Sequence, residues 1–168
     1  MSKIRNRRAS GVAALASIAV LFALIGPVAA AEPAFEFTLP AGSACGFDLH
    51  IAGFGDGSEV VRDFTGHDGT ELTLVAGTGY ALTFTNETTE ATLSLNSSGA
   101  VNWTQTYPDV SQEITLMGHN VVILSPGDVG GPSTTLYVGK VTIGVAADGT
   151  WTVGKVAGSS IDICAAIS

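Results

Sequence analysis

The sequence predicts an all-β fold, an antiparallel β-sandwich or barrel of about ten short strands. Three observations carry that expectation. Apolar and polar residues alternate over short runs, which puts one side of each run into a core and the other into water. Gly, Pro, Asn and Asp recur at roughly 8–12-residue intervals, the spacing of turns between strands. Beyond residue 44 no run has the periodicity of a helix, and Thr, Val and Gly are abundant, as pleated surfaces favour.

Residues 31–44 are rich in Pro and Ala and read as an extended leader or a loosely docked edge segment, ahead of a single β-domain at residues 45–168. Residues 45–51 set Phe47, Leu49 and Ile51 inward against Asp48 and His50, as one strand. Glycines around Asp56 mark a turn, residues 59–65 form a second strand with Val61 and Phe64 available to the core, and Asp68-Gly69 turns again. Residues 72–75 are a third strand.

The strongest pattern is residues 80–96. Leu82 and Phe84 alternate with Thr83 and Thr85, and Leu93 and Leu95 with Thr92 and Ser94, around the polar stretch Asn86-Glu87-Thr88-Thr89-Glu90. This reads as a hairpin, and as the template on which the other segments pair.

Ser97-Ser98-Gly99 turns into a strand at residues 100–104, where Trp103 is expected on the core-leaning side beside Val101. Residues 113–117 and 120–124 are two short strands or one strand kinked at Gly118. Residues 125–133 form a loop with two prolines and three glycines. Residues 136–145 and 150–156 flank Asp148-Gly149, the strongest hairpin signal in the chain, and residues 161–164 close as a short strand.

Ahead of this domain, Lys3, Arg5, Arg7 and Arg8 precede an uncharged apolar run at residues 11–25, broken by Pro27. Val28-Ala29-Ala30 supplies small residues, so residues 1–30 read as a secretory signal peptide cleaved between Ala30 and Ala31. Residues 11–31 are just long enough to reach across a bilayer, but the Pro27 break and the small-residue site favour cleavage. Export leaves three basic residues, Arg62, Lys140 and Lys155, against fifteen acids, a net charge of −12. A body that acidic repels phosphate backbones and anionic membrane faces, which excludes nucleic acid as a partner. In an oxidising compartment the even pair Cys45 and Cys164 reads as a disulfide tying the first strand to the last.

Chemistry-bearing patterns are sparse. His50, His67 and His119 lack metal-ligand spacing and read as surface residues. Asp56, Asp63 and Asp68, with Glu59 and Glu71, are the residue types calcium takes, but without EF-hand spacing they read as a solvated acidic face. No nucleophile elbow or metallopeptidase motif is present. Trp103, Tyr107, Tyr137 and Trp151 would make a carbohydrate platform only if they shared an exposed face, and burial is the expectation. Asn86, Asn96 and Asn102 stand in sequon patterns.

Four stretches carry a resemblance: Ala44-Cys45-Gly46-Phe47-Asp48-Leu49, Thr83-Phe84-Thr85-Asn86-Glu87-Thr88, Asp128-Val129-Gly130-Gly131-Pro132, and the closing Asp162-Ile163-Cys164-Ala165-Ala166-Ile167. Across nearly all of residues 31–168 the chain resembles a group of small secreted actinobacterial all-β proteins of unknown function. The resemblance implies a lone β-domain whose terminal cysteines pair, and names no site.

The resulting expectation is a secreted, monomeric, non-enzymatic domain of the extracellular space or cell envelope, binding a protein or a carbohydrate or serving structurally. No cofactor, metal ligand or catalytic residue is assigned, and no membrane span is expected after cleavage. The alternatives are a carbohydrate hydrolase with a spatially assembled carboxylate pair, and a calcium-dependent binding module.

Overall fold

The computed structural model describes residues 31–97 and 101–168. The expected signal peptide at residues 1–30, Ala30 included, lies outside the described residues, as do residues 98 and 99 of an expected turn and residue 100 of the strand expected after it. Ten strands and a short helix follow in order: β1 (Phe35–Leu39), β2 (Leu49–Phe54), β3 (Ser58–Thr65), β4 (Glu71–Thr78), β5 (Ala81–Asn86), β6 (Thr92–Asn96), β7 (Val101–Thr106), β8 (Gln112–Leu124), β9 (Ser133–Val145), β10 (Trp151–Asp162) and α1 (Ile163–Ala166). They build a four-stranded sheet, order β1-β2-β5-β6, and a six-stranded sheet, order β10-β9-β8-β7-β4-β3, both antiparallel. The expected all-β architecture of ten strands is therefore present, in its two-sheet form.

The first core lies between the sheets. Leu49, Ile51 and Phe84 of the small sheet pack with Leu136 and, from the partly buried residues, with Val121, Ile123 and Val138 of β8 and β9. The period-2 reading of β2 and β5 thus places the right residues inward. Asn86, in phase with Phe84, is buried as well. Its amide donates to the Ile167 carbonyl at 2.9 Å, and its oxygen accepts from the Thr88 N–H at 2.9 Å. An amide so engaged is not an accessible glycosylation acceptor.

Residues 31–44 contribute β1, which pairs with β2 from Phe35↔Gly53 to Leu39↔Leu49, so the edge-segment reading applies to Phe35–Leu39. A Cβ at Gly53 would run into the Phe35 ring, so the glycine lets the aromatic lie across the sheet. The hairpin β5–β6 forms as the alternation predicts, but it is not the template for the fold. β6 pairs with β5 alone and ends the small sheet; the long β8–β9 hairpin holds the centre of the larger one. Length decides this, since β8 and β9 each run 13 residues against 5 for β6.

That hairpin curls. Gly118, Gly139 and Gly158 are register partners across β8, β9 and β10, with φ of +102°, +119° and +144°. Ser133 and Val145 lie at opposite ends of β9, about 40 Å apart if straight. Yet the loop leaving β8 at Leu124 reaches the far end: Asp128 accepts from the Trp151 N–H at 2.8 Å, and the Val129 N–H donates to the Trp151 carbonyl at 2.9 Å. The glycine row lets the ladder bend far enough for this closure. Inside the bend sits the second core, Ile114, Val122, Leu124, Val141 and Ile143, with Tyr137 and Trp151 packed against it.

Two further expectations need correction at the C-terminus. Of residues 161–164, Ile161 and Asp162 end β10, but Ile163 and Cys164 are helical, because Asp162 accepts from the Ala165 N–H at 3.0 Å and caps α1. Ile163 and Ile167, four apart, then share one buried face. Cys45 lies in the β1–β2 loop and not in a strand. It is bonded to Cys164 of α1 with Cα atoms 5.5 Å apart, so the bridge joins loop to helix and sheet to sheet.

Three turns share one geometry. In residues 66–70, 107–111 and 146–150 the first N–H donates to the fifth carbonyl, at 2.7, 2.9 and 2.9 Å, and the fourth residue is left-handed. That position holds Gly69 and Gly149 but Val110, at φ +64° and exposed. A β-branched side chain in this region costs about 1–2 kcal/mol. Val110→Gly is therefore expected to stabilise the protein by about 1 kcal/mol net of the added chain entropy, seen as a raised urea midpoint with unchanged slope. An unchanged or lowered midpoint would show the turn to be unstrained.

Candidate functional site

β7 carries the most promising surface. Residues opposite one another in a ladder share a face, so Trp103 stands with Leu74 and Thr115, Gln105 with Leu72 and Glu113, and Met117 with Lys140. The small sheet covers the second half of β8 and the first half of β9, and this outer face of β3, β4, β7 and early β8 extends past it. Every residue of β3 is exposed. Val61 and Phe64, expected in the core, are 49% and 52% accessible.

Trp103 is 42% accessible, against the expectation of burial. Its neighbours define a shallow groove of about 250 Å³, where Gln105, Glu113, Thr115 and Lys140 supply polar groups and Leu72 and Met117 apolar surface. Gly144 is the register partner of Glu113, and a Cβ there would meet nothing within 4 Å. The missing side chain leaves the β9 side of the groove open. An indole with a carboxylate, an ammonium, an amide and a hydroxyl around it can stack on an apolar ring face while hydrogen-bonding at its rim.

The other aromatic candidates separate. Tyr137 and Trp151 pack on the second core, whereas Tyr107 is exposed at the β7–β8 turn. Asp63 accepts from Thr73 Oγ1 at 2.7 Å in mid-strand, whereas Asp68 accepts from the Thr70 N–H at 3.0 Å in its turn. Among the described residues no group of three or more His, Cys, Asp or Glu is placed to hold a metal. His50 lies on the outer face of the small sheet, with ring nitrogens 3.8 Å from Glu36 and 3.8 Å from Glu87.

Asp68, Asp109 and Asp148 are held below the usual carboxylate range. For Asp68 and Asp148 the main cause is the backbone N–H of Thr70 and Thr150, and for Asp109 the hydroxyl of Ser111, donating at 2.6 Å. A general acid at neutral pH needs the opposite direction. These aspartates organise turns.

The sequence reading missed Gln105, Glu113 and Lys140. Their signal is register: counting outward from the Tyr107–Ser111 turn puts Trp103, Gln105, Glu113 and Thr115 on one face. Comparison with protein-family models, curated proteins and solved structures gives no match.

Proposed function

We propose that the chain is an exported, non-catalytic binding module whose ligand is an uncharged, hydroxyl-rich polysaccharide laid across the Trp103 face. The observation that carries this reading is a half-exposed tryptophan in an open groove with four hydrogen-bonding side chains around it. Glu113 and Lys140 offset each other, which suits an uncharged ligand, while a body of net charge −12 over residues 31–168 repels acidic glycans. Hydrolysis needs two carboxylates about 5–10 Å apart across a bond, and among the described residues Glu113 is the one carboxylate lining this groove. Export is supported by the Cys45–Cys164 bridge, and among the described residues no helix is long and apolar enough to cross a membrane.

Titration calorimetry against neutral glucan, mannan and xylan oligosaccharides, with uronic-acid oligomers as controls, tests the reading. Saturable binding of a neutral chain is expected, weakened by about tenfold or more in Trp103→Ala, a loss of about 1.4 kcal/mol. Thermal unfolding of that variant should stay near wild type, because the ring is not part of either core. A folded protein that binds none of the neutral chains, or a Trp103→Ala variant with undiminished affinity, overturns it.

A further inference from the structure

Among the described residues, the end of β8 has a strand on one side only. β7 accompanies β8 from Gln112 to Met117, whereas β9 continues along β8 to Leu124. The Tyr107 N–H donates to the Ser111 carbonyl at 2.9 Å, which sets the phase of the hairpin. Odd-numbered residues of β8 then turn their main-chain groups toward β7, and even-numbered ones toward β9. The β8–β9 register is unbroken, so His119, Val121 and Ile123 point N–H and C=O away from β9. The Ser97 hydroxyl donates to the His119 carbonyl at 3.3 Å on that side. Among the described residues no strand lies beside Val121 and Ile123.

A cavity lies on each side of this edge. One of about 310 Å³ is lined by Val121 and Ile123 with Phe37, Ile51, Leu82 and Phe84. The other, also about 310 Å³, is lined by the same two residues with Ile114, Leu116, Ile143 and Trp151. No charged side chain lines either cavity among the described residues. Successive side chains of an extended chain point to opposite sides. A segment paired to Val121 and Ile123 would send alternate side chains into the two cavities and take up the main-chain groups that no strand among the described residues meets.

We infer that this edge accepts an extended, uncharged, apolar segment of a partner protein by strand addition. The chain's own long exposed edges do not suit it. β3 carries Glu59, Arg62 and Asp63, which two apolar cavities would desolvate without a partner. β10 is irregular, with a register shift between Val153 and Val156 and a positive φ of +144° at Gly158.

The test is amide hydrogen exchange with a peptide of about eight residues built from Val, Ile and Thr, and the same peptide with proline at alternate positions. The first peptide should bind saturably and slow the Val121 and Ile123 amides by about tenfold or more, and the proline peptide should do neither. Val121→Pro removes an outward N–H and leaves the β8–β9 ladder intact, so it should abolish binding. Phe37→Ser, at an already exposed ring, should weaken it and stands in if the proline variant does not fold.

Absence of binding, binding that leaves those amides unchanged, or undiminished binding by the folded variants overturns the inference. Protection in the free protein that disappears on dilution assigns the edge to a second copy. Protection that disappears only when residues 1–30 are removed assigns it to the chain's own N-terminal segment. Either result also overturns the partner assignment.

Discussion

Replacing Cys45 and Cys164 together by alanine lowers the stability of the protein by about 4–5 kcal/mol, and its melting temperature by about 10–20 °C. The size follows from the sequence separation of 119 residues, which makes the bridge a constraint on nearly the whole unfolded domain. Chain-entropy stabilisation grows only with the logarithm of loop length, so the effect lies near the top of the usual range. The location adds to it. Ala44 and Cys45 are buried in the first core beside Ile163 and Ile167, and Thr134 Oγ1 donates to the Ala44 carbonyl at 3.3 Å. Without the bridge, the β1–β2 loop and α1 are held to each other only by that packing. Urea unfolding of the double variant, and of the wild type with and without thiol reductant, measures the loss. Coincident curves would show that the sheets hold together without the bond.

How much of this was legible in the chain depends on what each residue answers to. Where a strand is covered on one face, alternation was sufficient: Leu49, Ile51, Leu82, Phe84, Leu93 and Leu95 all turn toward the first core. The same rule misplaced Trp103, and Val61 and Phe64, three apart and therefore on opposite faces of β3, are both exposed. Alternation says which residues share a side, and it does not say whether a second layer covers that side. Coverage is set by the four-stranded sheet ending short of β3, a long-range fact with no local signature. Asp162 illustrates the reverse error. A local cap, readable in Asp162-Ile163-Cys164-Ala165-Ala166, overrode a strand pattern taken from Ile161 and Ile163. The groove suffered most, since Trp103, Glu113 and Lys140 come from three strands and meet only through register.

Register also explains the second large effect, at the glycine row. Gly158→Ala is expected to cost about 3 kcal/mol or more and to leave little folded protein at 37 °C. A Cβ at Gly158 would run into the Val138 carbonyl, and one at Gly139 would lie 2.5 Å from the Ala157 carbonyl oxygen. Both obstacles are backbone, so no rotamer change relieves them, and both positions have positive φ that an L side chain rarely adopts. Moving the ladder to make room would straighten the bend that brings Asp128 and Val129 onto Trp151 and closes the second core. Gly144→Ala, on β9 in open space, is the control and should stay within about 0.5 kcal/mol of wild type. Far-UV circular dichroism and urea midpoints of Gly139→Ala, Gly158→Ala and Gly144→Ala decide the matter. If all three variants match wild type, the curl of β8, β9 and β10 does not depend on the missing side chains. If the first two fall and the third does not, the positive-φ glycines at 139 and 158, aligned across β9 and β10, are a local cause of the ladder's curl.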